Sequence, residues 1–170
     1  MNDKPFVLFG HSFGGMVAAM TAAELVHQDL CDNLMMLGIS GCPAERDPAS
    51  PLVHKLENDA FIEYIMDLGG VDDIFLKHRD MLEAQIPLLR ADFRILEEAP
   101  LEQVRVPCAI SVIYGANDKL INDATANKWK DYTEDTCRVR VLPGKGHFYL
   151  DEPEIRQQVW NEVEAIFSLF

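Results

Sequence analysis

The chain has 170 residues, 48% hydrophobic and 25% charged, the composition of one globular core rather than of a disordered or low-complexity polypeptide. Fifteen basic against 28 acidic residues leave a net charge of −13. That argues against nucleic acid and anionic membrane surfaces as partners, because both are bound through clustered Lys and Arg. No apolar stretch approaches the ~18 residues of a membrane span. Met1-Asn2-Asp3-Lys4-Pro5 lacks the basic and long apolar regions of an export signal, so the expected setting is cytoplasmic. Cys31, Cys42, Cys108 and Cys137 form no C-x-x-C pair and are read as reduced thiols.

Phe6–Phe9 is a short all-apolar run, the pattern of a strand buried on both faces of a parallel sheet. Gly10–Gly15 is a glycine-rich turn. Met16–Leu30, rich in Ala, Met and Leu, reads as a helix. After the Asp32-Asn33 turn, Leu34–Ile39 reads as a second buried strand, and the proline-containing stretch Cys42–Pro51 as a loop. Residues 54–98 show no strand pattern. Helices are predicted around Phe61–Met66 and over Val71–His78, with a longer one over Asp80–Glu98 interrupted by Pro87. Pro100 and Pro107 bracket a return to the sheet. Cys108–Tyr114 and Cys137–Leu142 read as a third and fourth buried strand, with a helix over Asp123–Tyr132 between them. A last helix is predicted from near Asp151, where Asp151 and Glu154 have capping-box spacing and Pro153 suits a first turn. The alternation implies a parallel α/β sheet of about four strands with crossover helices, one domain over 1–170 carrying a helical insertion at 52–99.

Gly10-His11-Ser12-Phe13-Gly14 is G-x-S-x-G between a predicted strand and a predicted helix, the context that makes this motif informative. A serine nucleophile must sit on a turn too tight for bulky neighbours, so glycine is expected two residues to either side. The helix that follows aims its positive end at the site, and the Phe13 N–H points where an oxyanion develops. The competing account is a plain glycine-rich turn, but no Walker lysine follows. Of five histidines, His11 is expected to point away from Ser12, and His27, His54 and His78 to face solvent or pack locally. His147 lies in the flexible loop Pro143–Phe148 directly after the fourth strand, where open α/β sheets place their chemistry. Asp118, just past the third strand and after Gly115, is the expected orienting carboxylate. Asp123 is the competitor, expected instead to cap the next helix. The order Ser12, Asp118, His147 fits the strand–turn–helix class.

These residues carry a resemblance. The chain resembles an α/β-hydrolase and, more narrowly, a type II thioesterase of polyketide and nonribosomal peptide synthesis. The elbow Gly10-His11-Ser12-Phe13-Gly14-Gly15, the acid and base motifs at Asp118 and His147, and the insert pattern Leu68-Gly69-Gly70 with Pro87-Leu88-Leu89-Arg90-Ala91-Asp92-Phe93 are similar to those of that family. The resemblance implies an α/β-hydrolase-type sheet with a helical lid at 52–99. It implies hydrolysis of acyl thioesters from the phosphopantetheine arm of carrier proteins by Ser12, His147 and Asp118 with Phe13 in the oxyanion hole, and no metal or cofactor. The lid would supply substrate and carrier contacts through Phe61, Met66, Leu89, Arg90, Phe93 and Arg94. The basic group Lys77, Arg79, Arg90 and Arg94 is either a docking surface or a face of internal ion pairs. A different serine hydrolase, such as a carboxylesterase, and a module that only binds are the alternatives.

Relatives of this kind begin with strands before the elbow strand, so the resemblance also implies an N-terminally incomplete domain. Phe6–Phe9 is expected as an exposed, association-prone edge, and the upstream oxyanion donor as lacking. Three accounts fit: a piece of a longer enzyme (favoured), one half of a split enzyme, or a domain that covers its edge by self-association.

Overall fold

The computed structural model describes residues 4–69, 79–99 and 101–167. They form two compact units, residues 1–45 with 101–170, and residues 46–100. The first carries a four-stranded sheet, all parallel, in the order β1 (Phe6–His11), β2 (Leu34–Ser40), β3 (Ala109–Gly115), β4 (Cys137–Leu142). The register sets His11 opposite Ser40 and Ser40 opposite Ile113. Every strand therefore ends on the same side, and the loops that follow meet there.

Position in the sheet decides burial. The central strands β2 and β3 are almost wholly buried, as apolar runs in a parallel sheet demand. β1 and β4 are half-buried because each has a neighbour on one side only among the described residues; for β1 this is the edge that the resemblance implies, whereas β4 departs from the buried strand its apolar run suggests. Phe9 of β1 is 39% exposed, and its ring covers Gly38 on the adjacent strand.

Helix α1 (Phe13–His27) starts three residues before its predicted start and stops at His27. Its buried face is Gly15, Met16, Ala18, Ala19, Ala22 and Ala23. Alanine has the best helix propensity, and these small side chains let the helix axis approach the sheet closely. The predicted helix over 123–132 divides into α4 (Asp123–Asn127) and a 3-10 turn, Lys128–Tyr132. Its cap is Asn122, which accepts from the Thr125 N–H in a capping box; Asp123 instead accepts the Tyr114 hydroxyl. The final helix α5 (Pro153–Phe167) begins at Pro153, because Tyr149–Asp151 winds as a 3-10 turn. Its stripe Ile155, Val159, Val163 has i, i+4, i+8 spacing and is buried, the first two clustering with Ile113 and Tyr149.

The second unit contains a 3-10 turn, Val53–Lys55, followed by α2 (Asn58–Leu68) and α3 (Arg79–Glu98); the helix Asp123–Asn127 is α4 in this order. Pro87 lies inside α3 without ending it. Proline removes one ladder hydrogen bond, but Leu82 and Ile86 before it and Phe93 after it are buried, which holds the helix together across the gap. Phe93 packs edge-on against Phe61 and Tyr64, with centroids 5.8 and 5.9 Å apart. The Glu97 carboxylate accepts the N–H groups of Val53 (2.6 Å) and His54 (3.1 Å) and binds His54 Nδ1. It thereby caps the 3-10 turn. The predicted helix over Val71–His78, with Gly70, Lys77 and His78, lies outside the described residues, as does Pro100.

Candidate active site

Ser12 joins β1 to α1 with φ 55° and ψ −124°. A serine in that backbone region carries about 1–3 kcal/mol of strain, which the surrounding contacts must offset. The Ser12 N–H donates to the Ser40 carbonyl (2.7 Å), and the Ser12 carbonyl accepts from the Gly15 N–H (2.9 Å). Two glycines make the turn possible, and they are not the expected symmetric pair. A Cβ on Gly10 would lie 1.9 Å from the Gly14 carbonyl oxygen, and one on Gly15 would lie 2.7 Å from Cys42 Cβ. A Cβ on Gly14 would meet nothing. Phe13 is the first residue of α1, so helix geometry leaves its N–H without a partner inside the helix.

Asp118 and His147 are joined directly. His147 Nδ1 lies 2.8 Å from Asp118 Oδ2, and the two side chains are 1% and 0% exposed. A carboxylate accepts there, so Nδ1 carries the proton and Nε2 keeps its lone pair. The loop bearing His147, expected to be flexible, is tied down. The Asn117 N–H donates to the Lys145 carbonyl (2.8 Å), and Lys145 Nζ pairs with Glu152 (2.6 Å). The Asp118 carboxylate also turns its own loop by accepting the Leu120 N–H (2.9 Å).

The corner after β2 brings these pieces to one place. The Gly41 N–H donates to the Ile113 carbonyl (2.9 Å) while Ser40 holds Ser12. Gly41 has φ +57°, and a Cβ built on it would stand 3.1 Å from Cε1 of both His11 and His147. The His11 and His147 rings pack with centroids 4.9 Å apart. His11 thus lies against the base as well as beside the serine in sequence. Its Nδ1 lies 2.9 Å from Ser40 Oγ, and burial, with the neighbouring His147 second, pushes it down to about 4. Ser40, Gly41 and Tyr149 were not singled out in the sequence. The signal for the first two is that Ser40-Gly41 ends a strand next to the elbow strand, where a small residue is needed; nothing in the sequence marks Tyr149.

Among the lid residues, Phe61 and Phe93 are buried in their own unit. Arg90 is committed within that unit as well. It donates to the carbonyls of His54 (2.6 Å) and Leu56 (2.7 Å) and to Asn58 Oδ1 (2.8 Å), and lies 4.4 Å over the Phe61 ring. Leu89 is half-buried, Met66 is 45% exposed, and Arg94, 71% exposed, pairs with Glu98. Surface Lys55 also reaches Glu98 (3.3 Å). His27 pairs with Glu102 at the surface, and His54 packs locally as expected.

The sheet, the strained serine at a strand–helix turn and the buried His–Asp pair define an α/β-hydrolase-type protein. The thioesterase domain model matches residues 1–167, and the chain belongs to the thioesterase family. It is 29% identical over 169 residues to the medium-chain S-acyl fatty acid synthase thioesterase of Homo sapiens, covering 96% of this chain and 62% of that protein. It is 30% identical over 155 residues to the gramicidin S biosynthesis protein GrsT of Aneurinibacillus migulanus, covering 87% and 58%. Among solved structures, RedJ thioesterase from the prodiginine pathway of Streptomyces coelicolor superposes with a TM-score of 0.81 at 29% identity, over 94% of this chain and 63% of that one. ClbQ from the colibactin pathway gives 0.80 at 25%, over 99% and 71%. The chain thus spans less than two thirds of the length of the curated relatives it matches, 62% and 58% for the two named.

Proposed function

We propose that this chain provides the catalytic part of a serine thioesterase that hydrolyses acyl thioesters on the phosphopantetheine arm of acyl or peptidyl carrier proteins. The buried His147–Asp118 hydrogen bond supports the reading most directly, because it leaves a base nitrogen ready to take a proton. Relatives from gramicidin S, anguibactin and fatty acid synthesis support the substrate class. Four free thiols suit a reducing, cytoplasmic setting.

In this mechanism His147 Nε2 takes the Ser12 hydroxyl proton, and Asp118 stabilises the imidazolium that forms. Ser12 Oγ attacks the thioester carbonyl, and the Phe13 N–H donates to the developing oxyanion. The C–S bond breaks, the thiol leaves with the proton from His147, and the acyl group remains as an ester on Ser12. Water, deprotonated by His147, then cleaves that ester and restores the serine. The exposed lid residues Met66 and Arg94, together with half-buried Leu89, are the proposed substrate and carrier contacts.

Turnover of an acyl-carrier-protein thioester by this chain, abolished in Ser12→Ala, is the expected result. Faster cleavage of simple oxygen esters than of acyl-pantetheine thioesters would favour a carboxylesterase. Carrier binding without turnover in the unmodified chain would favour a module that only binds.

A further inference from the structure

We propose that His11 is a positioning residue for His147, held by a directional hydrogen-bond chain so that its ring keeps the base in one orientation; this rests on the serine-hydrolase reading above. The chain begins at a group that can only accept. The Ile113 carbonyl takes the Tyr149 hydroxyl proton (2.8 Å). The Tyr149 oxygen, having donated its one proton, accepts from Ser40 Oγ (2.5 Å). Ser40 Oγ then has only lone pairs left for His11, so His11 Nδ1–H donates to it (2.9 Å). Every proton in the series is assigned by the carbonyl at its end. Burial opposes a second proton on the ring, which stays neutral to about pH 4. His11 Nε2 is buried with no hydrogen-bond partner among the described residues.

A bare buried nitrogen is unfavourable. It makes sense if the ring is retained for what it touches. Asp118 holds His147 at Nδ1, and a single hydrogen bond leaves a ring free to rock about its axis. The His11 ring lies against His147 at 4.9 Å and a 36° tilt, and Tyr149 meets His11 edge-on at 5.5 Å. Phe148 bounds His147 edge-on at 5.0 Å, but it is 37% exposed and its ring carries no hydrogen-bonding group. Gly41, with no side chain, lets the two imidazoles meet. Rocking by about an ångström at a base nitrogen is enough to cost on the order of 100-fold in rate.

The test uses the full chain and two readouts. Nitrogen NMR of the imidazoles is expected to show His11 as the neutral Nδ1–H tautomer; an Nε2–H tautomer overturns the proposal. The rate at which a fluorophosphonate modifies Ser12 reports the serine–base pair independently of substrate. His11→Asn keeps a donor near the Nδ1 position and removes the ring, and is expected to react roughly 10–100-fold more slowly. His11→Phe keeps a ring but removes the donor that holds it, and is expected to recover only part of that loss. Equal rates in the unmodified chain and His11→Asn overturn the proposal. So does an equal loss in both variants with lowered melting temperatures, which is the pattern of a merely structural residue. No modification of the unmodified chain at all would bring down the serine-hydrolase reading itself, and this proposal with it.

Discussion

Gly10 and Gly14 meet across the elbow so closely that a Cβ on Gly10 would stand 1.9 Å from the Gly14 carbonyl oxygen, whereas a Cβ on Gly14 would touch nothing. The contact is one-sided. One glycine is required as a side chain that must not exist, and the other only through its backbone.

Gly10→Ala is therefore expected to distort or unfold the elbow, costing at least ~3 kcal/mol, the upper range of overpacking. Gly14→Ala, inside the first turn of α1, is expected to be neutral or stabilising by up to ~1 kcal/mol, since alanine is the better helix former. Thermal melts compare the two; similar losses in both would contradict the one-sided contact.

Asp118→Asn is expected to lower kcat by roughly 10³–10⁴-fold with little change in KM, the size of effect seen when an orienting carboxylate becomes an amide that no longer holds the tautomer. The cause is local to the 2.8 Å bond at His147 Nδ1. Steady-state kinetics on an acyl-pantetheine thioester decide it. Retention of more than a tenth of the activity would assign the orienting role elsewhere.

Arg90 and Arg94 share a helix but should separate cleanly. Arg90→Ala leaves the carbonyls of His54 and Leu56 without their charged donor and is expected to destabilise the chain by about 2 kcal/mol. Arg94→Ala removes only an exposed pair with Glu98 and is expected to shift stability by less than ~0.5 kcal/mol. If Arg94 meets the carrier, its loss raises KM for the acyl-carrier protein and leaves KM for the free acyl-pantetheine unchanged.

His11 also gives stability a pH dependence of known sign. Its folded value lies near 4 against an ordinary 6.5, lowered by burial first and by His147 next, while Asp118 and Asp151 pull the other way. Above pH 6.5 the group is neutral folded or unfolded. Between 6.5 and 4 the unfolded chain takes up a proton that the folded chain refuses, so stability falls as pH falls, by about 2–3 kcal/mol across the window. Ser40 and Tyr149, hydrogen-bonded in line with this ring, keep their protons throughout. Urea midpoints at pH 7 and pH 4.5 are expected to differ more in the unmodified chain than in His11→Phe. An equal acid dependence in the two would show that His11 titrates normally.

Much of this was legible in the chain itself. Cys137–Leu142 was located to the residue, and Leu34–Ser40 and Ala109–Gly115 to within one, because apolar runs bounded by turn residues have few alternatives. The misses have physical causes. Pro87 does not break α3, because buried residues on both sides outweigh one lost hydrogen bond. Asp151 was credited with a helix start that Pro153 takes, and Asp123 with a cap that Asn122 supplies; adjacent Asn and Asp compete for a cap on geometry that sequence does not carry. β4 reads as a buried strand because composition cannot tell a centre strand from an edge; β1 has the same apolar pattern, and only the family resemblance marks it as an edge.

The sequence by itself determined the parallel α/β order, the elbow at Ser12 and the candidacy of Asp118 and His147, because strand periodicity, glycine spacing and chain order are one-dimensional properties. Tertiary structure alone decided that Asp118 meets His147 with both side chains buried, that Arg90 clamps the second unit from within, and that His11 lies against His147 at the end of a chain through Ser40 and Tyr149. Each of these joins residues 29 or more positions apart, and only the register of the strands and the packing of the helices bring such residues within bonding distance.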